Sequence, residues 1–339
     1  MFKYCLDINF RSNAETNENF EIKSEYIKNF KDNITFSKNL IRIEFERSAK
    51  NELESIIYNP NHTIHAQINI AIIYRWLIQQ SIIDIEKIKI SDEYNFLEID
   101  QINDVYLNSK VSYKLISLSD LSNILLKNQK NNKLSIALNH YMKALSITSL
   151  GSRFEHFWKS FNSLYSIVST STNEIEKLID VKLFVWGNIM KFIETLKLIS
   201  PLTKEELRKL KIREMILNDY PDDSKTRAYR DFCLRNDDAR LCGVLKDSLA
   251  YREQYLKNHR MYTQVNSHLT DSINNNYIKD EQVLTFLVIK YSYFLRNKYF
   301  HAEKLNDDFN LVKYIEIIGL PQINKVFEVF LYELIKLML

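Results

Sequence analysis

Glycine and proline are nearly missing, with four of each in 339 residues. That scarcity argues against a loop-rich all-β fold and against glycine-rich phosphate loops. Cysteine is as scarce. Cys5, Cys233 and Cys242 are scattered and odd in number, so neither a disulfide framework nor a paired metal-ligand spacing follows. A reducing, cytoplasmic setting is expected. An excess of one charge is also lacking. Lys and Arg total 46 against 43 Asp and Glu, a net charge of +3. A protein that coats long nucleic acid is usually far more basic, so any such contact here is expected to be local, at a cleft. No apolar run is long enough for a membrane span: the stretch from Ile64 to Ile90 is interrupted by Arg75, Gln79, Gln80 and further charges. The N-terminus lacks the basic-then-apolar order of a signal peptide.

What is present is apolar and helical. Hydrophobic residues make up 45% of the chain, enough for a sizeable core, and the length allows two domains. Phe2 to Phe10, Asn33 to Phe36 and Leu40 to Phe45 read as strands, the last alternating apolar and charged residues. His65 to Gln80 reads as a helix, and Leu97 to Ile99 and Val111 to Leu118 as short strands. From Asn131 onward apolar residues recur at helical spacing. Gly151 marks a break with Ser152 as a cap, and Phe154, Phe157, Trp158, Phe161, Leu164 and Tyr165 form a wide apolar face. Residues 174 to 199 read as one long helix. Thr203 and Glu206 fit a capping box. Helices are expected over 226–236 and 238–258, a loop over the Asn- and Ser-rich Ser267 to Tyr277, then helices from Glu281 to about Arg296 and from Gln322 to Leu339. The expected fold is mainly α: a small mixed α/β module over residues 1–125, then a helical domain over 126–339.

One hexapeptide carries chemistry. Arg296-Asn297-Lys298-Tyr299-Phe300-His301 follows an apolar run from Val283 to Leu295. A guanidinium grips a phosphate in a forked geometry and keeps its charge, and an imidazole moves protons near neutral pH. Together they suffice for attack of a ribose 2′-OH on its own phosphate. On an unbroken helix, residues five apart point ~140° away from each other. The helix must therefore end near Tyr299 and bend His301 back, or two copies of the motif must meet across a two-fold axis. Arg and His at a helix end also cap carbonyls and favour the helix dipole without any chemistry.

The order of Arg, Asn, three spacers and His resembles the motif of the HEPN ribonucleases. Ala137 to Leu145, followed by Ser152 to Leu164 with its Arg153-Phe154 and Trp158, resembles the first two helices of the Apea-like HEPN branch. Asn162 stands where that branch usually has an acid. The resemblance covers about 131–170 and 280–339, and leaves 171–279 as an insertion. It implies a metal-independent endoribonuclease that needs no cofactor and leaves a 2′,3′-cyclic phosphate. Arg296 would hold the scissile phosphate, His301 would transfer the proton and Asn297 would orient the site. Lys298, Tyr299 and Tyr293 would be weak RNA contacts, with core packing the plainer role for the tyrosines. It further implies a homodimer, RNA such as a tRNA loop as partner, and a toxin or antiphage role. A phage-derived trigger or a cognate antitoxin would then be a partner. The N-terminal module, different in composition and placed before the nuclease, is expected to sense a trigger or to hold the nuclease off. The rival implication is a catalytically silent HEPN module that dimerises or binds nucleic acid or protein.

Other candidates are weaker. His62 and His65 are three apart, but a metal needs at least one more ligand. His140 and His156 fit half-buried histidines, and Cys233 and Cys242 ordinary core thiols. Lys204, Arg208, Lys209, Lys211 and Arg213 alternate with glutamates, as on a solvated helix face.

Overall fold

The computed structural model describes residues 1–13, 20–27, 30–59, 61–77, 83–100, 105–107, 124, 128–300 and 319–339. It is mostly helical with an N-terminal antiparallel sheet, and it divides into two compact units. The first holds Met1–Ile147, Lys159–Ile167 and Ile335–Leu339, and the second Thr148–Trp158 and Val168–Leu334.

The sheet of the first unit consists of β1 (Phe2–Phe10), β2 (Phe20–Ile27), β3 (Phe30–Phe36), β4 (Leu40–Arg47), β5 (Ile83–Ser91), β6 (Phe96–Asp100) and β7 (Val105–Leu107). Its order is β2-β3-β4-β1-β5-β6, with β7 also paired to β5. Register follows the apolar alternation. Leu6 faces Ile43 and Ile8 faces Ile41, and all four are buried. The helices α1 (Leu53–Tyr58), α2 (Ile64–Leu77) and α3 (Gln129–Ser146) belong to the same unit, with Lys159–Ile167 and Ile335–Leu339. On α2, Tyr74 and Trp76 are buried, and the Tyr74 ring lies 4.4 Å from that of Phe36. Two buried arginines tie down strand ends. Arg47 forks onto Asp32 at 2.8 and 3.2 Å. Arg75 donates to the carbonyls of Ser12, Ser37 and Lys38 and lies over the Phe10 ring.

The second unit is helical. Phe154 and Phe157 of α4 (Leu150–Val168) pack on Phe327 of α15 (Leu320–Met338). Between them in sequence lie α5 (Glu174–Gly187), α6 (Ile193–Ile199), α7 (Lys204–Arg208), α8 (Ile212–Asp219), α9 (Thr226–Leu234), α10 (Ala239–Asp247), α11 (Glu253–Asn258) and α12 (Tyr262–Asn274). Then α13 (Asp280–Thr285) runs through a π-helical turn, Phe286–Tyr291, into α14 (Ser292–Phe300). Buried Glu333 of α15 accepts the Glu194 and Thr195 N–H groups at 2.7 and 3.0 Å, closing the start of α6. No helix among the described residues is long and apolar enough to cross a membrane.

Several expectations need correction. Ser267 to Tyr277 is mostly not a loop, because α12 runs to Asn274 with Val265, Leu269 and Ser272 buried. The expected helix over 174–199 breaks at Asn188, whose side chain donates back to the Phe184 carbonyl. The helix expected over 238–258 breaks at a 3-10 turn, Leu249–Tyr251. Gly151 lies inside α4, and the chain breaks at residues 147–149. Val111 to Leu118 lies outside the described residues, as does the expected domain joint near residue 125.

Candidate functional site around Arg296

Arg296 sits in α14, one turn after Tyr293. The π-helical turn just before α14 widens the helix by one residue, a feature often found beside functional sites. Ser292 Oγ closes that turn by donating to the Leu287 carbonyl at 2.7 Å. Phe294 and Leu295 are buried and anchor one side of α14, so Arg296 and Tyr293 share another face.

Asn297, Glu174 and Tyr293 hold the guanidinium. Its Nη1 donates to Asn297 Oδ1 at 3.0 Å. Its Nη2 lies 3.9 Å from Glu174 Oε1. The Tyr293 ring lies under its Cζ at 5.6 Å, and the Tyr293 hydroxyl points back to Glu174 Oε2 at 3.5 Å. The side chains of Arg296 and Glu174 are 24% and 33% exposed, so the head group is partly open to solvent although its Nε is buried. An ion pair this exposed contributes only ~0–1 kcal/mol to stability. Its effect is to orient.

Glu174 begins α5, where Asn173 caps the helix by accepting the Ile175 N–H. Trp158 of α4 backs the cluster, meeting Tyr293 edge-on at 6.1 Å. Arg296, Asn297 and Tyr293 are neighbours within one turn of α14, and Glu174 joins them from α5. Its local sequence marks only a helix start, where an acid favours the dipole. Asn162, in the position where the resemblance places an acid, has an exposed side chain, and its carbonyl accepts Ser166 Oγ. Lys298 leans over the Phe294 ring at 6.0 Å. Tyr299 contributes backbone to α14, which extends to Phe300 and not only to Arg296. The Tyr299 side chain and His301 lie outside the described residues.

A groove adjoins the cluster. It has a volume of about 290 Å³ and runs between α5, α9 and the helix from Gln282 to Tyr293. Its walls include Ile175, Ile179, Phe232, Phe286 and Tyr293, with Lys182 and Arg235 also lining it. Burial and the like charge of Arg235 push the Lys182 ammonium below the usual lysine range.

Elsewhere, burial pushes the thiols of Cys233 and Cys242 up to about 12, so both are inert core groups. Among the described residues, no group of three or more His, Cys, Asp or Glu is placed to hold a metal ion. No protein-family model matches the chain, and no curated protein or solved structure matches it.

Proposed function

We propose that this chain is an endoribonuclease of HEPN type that cuts RNA by internal attack of the 2′-OH. The observation that carries the reading is the oriented, partly exposed guanidinium of Arg296, held by Asn297, Glu174 and Tyr293. An arginine fixed in this way presents a forked, permanent charge to a phosphate and is pre-organised for the charge of the transition state. In the reaction the ribose O2′ forms a bond to phosphorus and the bond to the 5′-oxygen breaks. One proton leaves the 2′-OH and one reaches the departing oxygen. His301 serves one of these transfers. The products are a 2′,3′-cyclic phosphate and a 5′-hydroxyl.

Glu174 helps to orient Arg296 in a chain where Asn162 stands in place of the acid that the resemblance expects. Two copies of the motif share a cleft in a homodimer. Exposed single-stranded loops, such as those of tRNA, are the accessible substrates. A toxin or antiphage effector fits such an activity.

The test compares wild type, Arg296→Ala, His301→Ala and Glu174→Ala on total RNA in EDTA. Wild type should cleave and leave cyclic phosphate ends. The Arg296 and His301 variants should lose cleavage by a factor of at least ~100. Glu174→Ala should keep its fold and lose part of the rate. Equal cleavage by all four proteins would refute the site. Stable dimers that bind RNA without cutting it would favour the silent module.

A further inference from the structure

The groove beside Tyr293 has a composition that the cleavage chemistry does not explain. Its walls are apolar and aromatic, yet two cations stand together at its edge. The charge acting on the half-buried Lys182 is the like charge of Arg235. Lys182 rests on the Trp186 ring at 4.3 Å. Arg235 is exposed and commits its Nε to the Asp231 carbonyl at 2.9 Å. Among the described residues no carboxylate forms an ion pair with either. Lys290, also in the groove, differs because Asp219 neutralises it. Two neighbouring cations without a counter-charge repel each other, and an anion placed between them removes that cost.

Shape narrows the class of ligand. At about 290 Å³ the groove is at the small end of ligand sites, the size for one planar group with a short polar tail. It is open along α5, where Ile175 and Ile179 are 63% and 50% exposed. Tyr293 also lines the groove, and that ring lies under Arg296. The polar groups of the floor are already engaged. Gln282 Oε1 accepts the N–H groups of Asp237 and Asp238, and Thr285 Oγ1 accepts from Trp186 Nε1. The floor therefore offers an apolar surface with little hydrogen-bond reading.

We propose that this groove is a nucleotide subsite, in which a base packs against Tyr293 and Phe232 and its phosphate lies on Lys182 and Arg235. The proposal rests on the ribonuclease reading for its neighbour, the phosphate held at Arg296. The chemistry itself is that of any nucleotide, free or within a strand. Stacking without edge recognition makes the subsite tolerant of sequence.

The experiment measures binding and is independent of cutting. Full-length Arg296→Ala is titrated against a labelled single-stranded 12-mer RNA in EDTA, by anisotropy, across a range of salt. Lys182→Ala/Arg235→Ala and Ile179→Glu are then added on that background. Ile179 is half exposed, so its replacement does not threaten folding. Either change should weaken binding by at least about tenfold. The double replacement should also flatten the salt dependence by ~0.7 in log–log slope for each phosphate that is no longer neutralised. Displacement by millimolar AMP or UMP identifies a free nucleotide as ligand, while displacement only by oligonucleotides identifies the strand. Unchanged affinity and slope in both variants overturns the subsite, as does a parent protein that binds no RNA or nucleotide. A change of oligomeric state in Ile179→Glu with RNA binding intact reassigns the groove to the interface between copies of the chain. Absence of cleavage by wild type, with binding abolished in the groove variants, overturns the nuclease and leaves the subsite standing.

Discussion

His62 Nδ1 accepts the Ile64 N–H at 3.3 Å, so a titratable ring serves as the cap of α2. Protonation would replace that acceptor with a donor. Burial, and then the charges of Arg47 and His65, lower the His62 pKa from the ordinary 6.5. The sign follows from linkage. Between the folded and unfolded pKa values the unfolded chain binds more protons, so stability is complete above about pH 6.5 and falls as pH drops through that range. His62→Asn keeps an acceptor for the cap and removes the titration. Thermal melts between pH 7.5 and 5 should therefore show a flatter loss of stability in the variant than in wild type. Parallel curves would rule out His62 as a contributor. A similar logic of partners governs Arg296, but it is only half legible in the sequence. The hexapeptide marks Arg296 and Asn297 because they are adjacent. Glu174 is invisible as a partner, because nothing in a helix-start acid tells which distant side chain it will meet.

At the scale of elements, the capping box of α7 is fully legible because its parts are local. Thr203 accepts the Glu206 N–H, and Glu206 accepts the Thr203 N–H at 2.7 Å. Thr203→Ala should cost ~1 kcal/mol, a fall in melting temperature of roughly 2–4 °C for a unit of this size. Thr203→Ser should recover most of it. An equal loss in both variants would place the effect in the threonine methyl and not in the cap. Elements without local punctuation are harder to read. Strand β5 alternates over Ile83 and Ile85, and a register shift opposite Asn9 and Phe10 then changes the phase. That shift returns Ile90 to the buried side, and a strict period of two cannot follow it. In α12 the misleading cue is composition. Asn and Ser suggest a loop, whereas the burial of Val265 and Leu269 one turn apart decides for helix.

At the scale of the whole molecule, the units do not follow the order of the chain. Helix α3 carries buried Leu134, Ala137, Leu138 and Tyr141, belongs to the first unit and packs on α2 there. Residues Lys159–Ile167 of α4 belong to the same unit, and Ser160 Oγ donates to the Ala137 carbonyl at 2.8 Å in its interior. Periodicity reveals that α3 has an apolar face, but it cannot say which unit that face joins. This bears on any test of the N-terminal module as a sensor or restraint. A cut at residue 125 removes the sheet and α2 and leaves the α3 face without the cover that α2 and β7 give it. Exposing those side chains costs on the order of 1.5–3 kcal/mol for each large one. That total is comparable with the roughly 5–15 kcal/mol that holds an ordinary domain together. A chain beginning at residue 126 should therefore aggregate, or melt without a cooperative transition, and should not behave as a freed nuclease. Size-exclusion chromatography and calorimetry would decide. A monodisperse fragment with a sharp melt would mean that α3 finds its cover elsewhere. Point substitutions that leave the sheet folded are for this reason the sounder way to ask what the N-terminal module controls.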